Sequence, residues 1–221
     1  MKTVLITGTS KGLGKSIAEL FIKNKWRVIG LSRSASKIKS KLYNHHCVDI
    51  TDRNALATLF ATFPDIDVLV NNTGVFDMSY FEDINSAIIN NIIDTNVKGT
   101  MFVTKLCLTK MNAGSKIIFI NSVAGLNELN QQAVYCASKH AIKAFAGVIA
   151  QELRYRHINV TSIHPGGINT SLWNESNPYP PGDVKDAIQP EEIADLVYYI
   201  SNRSNSTVYK TVAMFPRIEW H

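Results

Sequence analysis

The sequence predicts an α/β fold built on a parallel sheet, and two observations carry that expectation. Val4 to Ile6 is an apolar run of β type that passes through Thr7-Gly8-Thr9-Ser10-Lys11-Gly12-Leu13-Gly14 into a helical pattern with Ile17, Leu20 and Phe21 on its stripe. Trp26 to Leu31 then reads as a second strand, which closes a βαβ unit within about thirty residues. Buried β-type runs and helical patterns continue to alternate along the rest of the chain.

With 221 residues the chain is long enough to bury a full core, and one domain over residues 1–221 is expected. Lys plus Arg number 23 against 18 for Asp plus Glu, a formal charge of +5. That excess suits a phosphate-bearing ligand. No basic block is interleaved with aromatics, which argues against a nucleic-acid partner. Cys47, Cys107 and Cys136 fit no zinc or redox spacing and read as free thiols in a reducing compartment. No run approaches the ~20 apolar residues needed to cross a bilayer, and the N-terminus enters a strand directly. A cytoplasmic protein with no membrane partner is expected.

Taken in order, the elements place the candidate ligand residues at strand ends. Gly8 permits the tight turn out of the first strand, Gly12 lets the backbone approach a pyrophosphate at the positive end of the helix, and Gly14 lets that helix lie close to the sheet. Ser10, Lys11 and Leu13 belong to the same turn. A dinucleotide that lacks a 2′-phosphate is usually held by Asp or Glu at the end of the second strand. Here Ser32-Arg33-Ser34 stands there instead, so Arg33 with Lys11 offers a cationic clamp for a 2′-phosphate, and NADP(H) is expected rather than NAD(H). A weak helix is expected from Ser34 to Lys41, then a short strand near His46-Cys47-Val48. Asp49 and Ile50 follow it, where adenine would lie. Asp52 is placed to cap a helix from Arg53 to Phe63. His45 and His46 lack further ligands at metal spacing, and no metal site is expected.

Asp67 to Val70 reads as a buried strand ending in Asn71-Asn72-Thr73-Gly74, where Asn72 and Gly74 suit a ligand crevice and the two carboxamides equally suit tying loops together. Ile84 to Met111 is one long helical pattern broken only by Gly99. Asn96, unhelpful to a helix interior, either bends it or holds a water. Ser122 follows the strand Lys116 to Ile120. Tyr135 and Lys139 lie one turn apart on the next helix, where positive charge beside a phenol favours the phenolate. A hydroxyl, a phenol and an ammonium are the parts of a proton-transfer site for carbonyl reduction or alcohol oxidation. That helix, Val134 to Tyr155, is apolar on more than one face, with Phe145, Val148, Ile149 and Leu153 available for a subunit interface. Asn159 to Ile163 is the sixth strand; Pro165 and Gly166 turn close to the nicotinamide, followed by Ile168 and then Thr170 near the pyrophosphate. An irregular lid is expected around residues 171–189, with Leu172, Trp173 and Tyr179 as a ligand wall or as packing and Pro178, Pro180, Pro181 and Gly182 in the loop. Pro190-Glu191-Glu192 opens a helix to Ile200, and Val208 to Phe215 reads as the last strand.

Together these residues resemble the single-domain type of the short-chain dehydrogenase/reductase family, over nearly the whole chain. The glycine turn has the form Thr-Gly-x-x-x-Gly-x-Gly. Asn71 to Gly74 is similar to the family's Asn-Asn-Ala-Gly with Thr73 in place of alanine, and Asn96, Ser122, Tyr135 and Lys139 match its catalytic tetrad. The resemblance implies a Rossmann-type doubly wound sheet of seven strands in the order 3-2-1-4-5-6-7, with helices on both faces. It implies a small or medium carbonyl/alcohol substrate, Tyr135 as general acid or base and Ser122 as the group that positions the substrate oxygen. Lys139 would bind the nicotinamide ribose and lower the Tyr135 pKa, while Asn96 supports a water-linked relay. The tail from Ala213 to His221 lacks the family's late glycine pair, so a homodimer through the two long helices is expected, with a homotetramer as the other form. Two rival readings are a nucleotide-sensing binding protein without turnover and an epimerase or dehydratase. Sensors commonly lose the tyrosine or lysine, both present here. Epimerases usually space their glycines differently and are longer.

Overall fold

A computed structural model of the chain describes residues 1–174, 177–179 and 183–219. Seven strands form one parallel sheet in the order β3-β2-β1-β4-β5-β6-β7, with strand ranges β1 Thr3–Thr7, β2 Arg27–Ser32, β3 Tyr43–Cys47, β4 Val68–Asn71, β5 Lys116–Ile120, β6 Asn159–Pro165 and β7 Thr211–Met214. β1 pairs with β2 on one side and β4 on the other, in registers Val4↔Val28 and Val4↔Val68. Strand order reverses between those two neighbours, which opens a crevice at the C-terminal ends of β1 and β4.

Each strand alternates its side chains between two cores, so the central strands β1, β4 and β5 are buried throughout. On one face Ile17 and Phe21 of α1 (Gly12–Lys23) and Ile193 and Val197 of α6 (Pro190–Asn202) pack with Val4, Ile6 and Val70. On the other, α2 (Arg53–Ala61), α4 (Thr100–Cys107) and α5 (Ala133–Glu152) bring Leu56, Phe60, Val103, Ile142 and Ile149 against Leu5, Leu69 and Phe119. Asp52 caps α2 as its position predicts, accepting from the Asn54 and Ala55 amides at 3.1 and 3.0 Å. A reciprocal capping box between Gln189 and Glu192 starts α6. No helix among the described residues is long and apolar enough to cross a membrane.

The long pattern after β4 is continuous but not uniform: α3 (Ser86–Ile92) runs through a π-helical segment, Ile93–Gly99, into α4. Gly99 does not break it. Its missing side chain makes room for Ile50, which a Cβ would approach to 2.8 Å.

Three expectations change. Residues Ser34–Lys41 form no helix. The Ser32 hydroxyl donates to Ser34 O, and the Ser36 and Ser40 hydroxyls accept from the Ile38 and Leu42 amides, which gives the backbone a local alternative to helical bonding. The last strand is shorter than Val208 to Phe215, because β7 is an edge strand paired only to β6 over Thr211–Met214. The apolar excess of α5 is largely consumed within the chain: Ile149 and Leu153 are buried and Phe145 meets Phe119 edge-on at 5.9 Å, which leaves Val148 exposed.

Candidate active site

Two adjoining cavities open at the C-terminal edge of the sheet. The first, of ≈ 370 Å³, runs from the glycine turn past Arg33 and Ile50 to Asn72, Gly74, Tyr135 and Lys139. The second, of ≈ 260 Å³, lies beyond Tyr135 and is walled by Ser122, Phe76, Trp173 and Tyr179. Asn121, Tyr135, Ile168, Thr170 and Leu172 line both.

The first cavity fits a dinucleotide. Gly8 and Gly12 hold φ of +78° and +54°, in the left-handed region where a side chain costs energy. A Cβ on Gly14 would overlap the Gly8 carbonyl, so only glycine lets α1 start this close to β1. Lys11 at the N-cap makes no side-chain capping bond, and the first-turn amides of α1 are left available to an anion. Ser10, Lys11, Leu13, Ser32, Arg33 and Ser34 line this end, and no carboxylate does so among the described residues. Asn121 also lines the cleft, and its Oδ1 is buried without a partner.

At the junction the end of β5 presents Ser122 toward α5, which carries Tyr135 and Lys139 on one face. The Lys139 Nζ lies 5.4 Å from the Tyr135 ring centroid and donates to Ile120 O at 3.4 Å. A Cβ on Gly74 would sit 3.6 Å from both Lys139 Nζ and Asn96 Oδ1, so the loop after β4 closes the same corner. Burial pushes the Tyr135 phenol up to about 12, an effect that the Ser122 hydroxyl hydrogen bond opposes. Burial also pulls the Lys139 ammonium down to about 8. In the protein alone burial is the largest influence on both groups, and the Tyr135 phenol stands above its ordinary value. Tyr135 retains accessible surface toward the cleft although its surroundings are dense.

Asn96 lies in the π-helical segment, and both ends of its carboxamide are bonded. Its Oδ1 accepts from Val75 N at 2.8 Å, and its Nδ2 donates to Val75 O at 2.9 Å and Ser138 Oγ at 3.1 Å. The side chain is therefore tied to the loop after β4 and to Ser138 of α5. Asn72 is similarly tied, donating to Thr7 O at 2.9 Å, while still lining the cleft. Asp49 turns away: its Oδ1 accepts from the Thr51 amide and hydroxyl at 2.9 and 2.8 Å, and Val48 and Ile50 line the cavity in its place. Pro165 and Gly166 line the second cavity rather than the first.

Two contributors escape the motifs. His164 is fully buried and holds the Ser122 carbonyl at 2.9 Å through Nδ1. A carbonyl only accepts, so Nδ1 carries the proton and Nε2 accepts from the Ser162 hydroxyl at 2.9 Å. Its place two residues past the middle of a buried strand was the available signal. Glu219, near the end of the described chain, reaches the second cavity, and nothing in its local sequence marks it. Pro180, Pro181 and Gly182 of the expected lid and the terminal Trp220 and His221 lie outside the described residues.

A phenol, a hydroxyl and an ammonium at the junction of a dinucleotide-shaped cleft and an aromatic-walled cavity define a class: dinucleotide-dependent enzymes built on a doubly wound sheet. The profile of the short chain dehydrogenase family matches residues 2–180. The chain belongs to that family of oxidoreductases. A Drosophila melanogaster dehydrogenase/reductase family protein 7-like is 32% identical over 193 residues, covering 77% of this chain and 58% of its own length. An oxidoreductase of Schizosaccharomyces pombe is 33% identical, with 63% of its length covered, so the chain spans about three-fifths of these two curated relatives. The serine 3-dehydrogenase of Agrobacterium fabrum is 26% identical over 97% of this chain and 93% of its own. Among solved structures, a serine dehydrogenase in complex with NADP+ superposes with a TM-score of 0.87 at 27% identity, over 99% of this chain and 96% of that one.

Proposed function

We propose that the protein is an NADP(H)-dependent oxidoreductase that transfers a hydride between the nicotinamide and a carbonyl or secondary-alcohol carbon. The observation that carries this reading is Tyr135, which stands between the two cavities with Ser122 on the substrate side and Lys139 on the nucleotide side. When bound, the nicotinamide supplies or accepts the hydride. The chain's own residues hold and orient. The turn from Gly8 to Gly14 receives the pyrophosphate together with Thr170; Lys11 and Arg33 receive the 2′-phosphate; Ile50 flanks the adenine; and Asn72, Gly74, Lys139 and Ile168 take the nicotinamide half.

In reduction the Tyr135 hydroxyl gives its proton to the developing alkoxide, and in oxidation the phenolate takes one. Ser122 holds the substrate oxygen against it. A phenol that burial keeps protonated is suited to the acid role at neutral pH. His164 and Asn96 position this machinery, the first through the Ser122 backbone and the second through the loop that carries Gly74. The NADP+ complex of the serine dehydrogenase relative supports the cofactor assignment.

A panel of aldehydes and ketones, followed by NADPH absorbance, tests the activity, and calorimetry tests the cofactor. NADPH is expected to bind more tightly than NADH. Arg33→Ala is expected to reduce that preference by about tenfold or more, the worth of a charge-assisted phosphate contact. Equal affinities in the unaltered protein, or a ratio unmoved by the substitution, would contradict the assignment.

A further inference from the structure

The second cavity carries a charge that neither the fold nor the proton-transfer site requires. After β7 the chain turns at Pro216 into a short 3₁₀ turn, Arg217–Glu219, which lays the Glu219 carboxylate on the Gly166-Gly167 turn. Both carboxylate oxygens accept from the Gly167 amide, Oε1 at 3.1 Å and Oε2 at 3.0 Å, and the Tyr179 hydroxyl donates to Oε1. A Cβ at Gly166 or Gly167 would overlap the carboxylate, so the glycine pair admits it.

Both donors to Glu219 are neutral. Among the described residues no Lys, Arg or His forms an ion pair with it, and it is the one formally charged side chain lining this cavity. Burial, and next the hydrogen bond and charge of Glu219, raise the Tyr179 pKa, so this phenol remains a neutral donor. The carboxylate is half-buried, and its described partners bring no positive charge to offset it. The walls repeat the preference. Phe76 meets Trp173 edge-on at 5.3 Å between centroids, and Trp173 meets Tyr179 at 5.1 Å. Clustered aromatic faces attract cations and repel anions.

We propose that the cavity selects substrates carrying an alkylammonium group, bound by Glu219 between the rings of Phe76, Trp173 and Tyr179 while the reacting carbon faces Ser122 and Tyr135. The inference rests on the oxidoreductase reading for the second half of that sentence only. Glu219 is the specificity residue, and a substrate with a carboxylate in this position is disfavoured.

The test is a series of 2-alcohols ending in an ammonium, with chain lengths increasing one carbon at a time, each set against the same alcohol with methyl in place of ammonium. Binding to the NADP+-loaded protein is read by tryptophan fluorescence and oxidation by NADPH formation. At the best length the ammonium compound is expected to bind at least tenfold more tightly than its methyl counterpart. Glu219→Gln, which keeps the acceptor for Gly167, is expected to reduce that ratio at least tenfold. A ratio at or below one at every length in the unaltered protein would overturn the proposal whether or not the variant folds. So would a ratio that Glu219→Gln, with its thermal transition intact, leaves in place. Selective binding without oxidation would uphold the ammonium site and count against the catalytic reading; oxidation without selectivity would do the reverse.

Discussion

Lys139 is a costly residue for the fold at neutral pH, whereas Tyr135 is uncharged there in the folded and the unfolded chain alike. Burial lowers the lysine from 10.5 to about 8 and raises the tyrosine from 10.0 to about 12. For Lys139 the unfolded chain binds the extra proton between about pH 8 and 10.5, so its destabilising contribution is full below that interval and fades as pH rises through it. The shift corresponds to about 3 kcal/mol. Lys139→Met is therefore expected to raise the thermal transition of the ligand-free protein by several degrees at pH 7, with most of the gain gone by about pH 10. A variant equally or less stable at pH 7 would show that desolvation does not dominate at this position. The types and spacing of Ser122, Tyr135 and Lys139 were legible in the sequence because one turn of helix puts the last two on one face. Which of burial and charge wins was not legible, because that depends on how densely the surrounding elements pack.

Among the elements, the π-helical segment Ile93–Gly99 is the most informative. It places Asn96 where its carboxamide meets both backbone groups of Val75. Asn96→Ala would remove the side-chain partner of Val75 N–H and C=O in a part-buried setting. A loss of about 2–3 kcal/mol in unfolding free energy and a loosened loop at Gly74 are expected. A melt unchanged within error would mean that the loop finds other partners. The sequence located an uncomfortable residue in mid-helix but gave no means to see the widened turn that accommodates it. Strands of continuous Val, Ile and Leu and the capped helices α2 and α6 were legible from local chemistry. The segment Ser34–Lys41 was not, because its serines bond to nearby backbone groups and only Ile38 packs on a core.

For the whole molecule, the reversal of strand order beside β1 creates the cleft, and every motif residue that reaches it does so from the C-terminal end of a strand or the first turns of a helix. That arrangement made the lining of the first cavity readable. The second cavity is assembled from Phe76, Trp173, Tyr179 and the tail that carries Glu219, residues brought together only by the closed chain. Asp49 illustrates the limit of reading position alone: it follows β3 as expected, yet the Thr51 amide and hydroxyl hold its carboxylate.

The proposed proton transfer runs between Tyr135 and the substrate oxygen, at the junction of the two cavities. The direct measurement is the turnover of Tyr135→Phe on a ketone that the unaltered protein reduces, with NADPH binding followed in parallel. A fall in kcat of at least about a hundredfold is expected, with cofactor affinity changed by less than about tenfold. Turnover retained near its original rate would contradict the account.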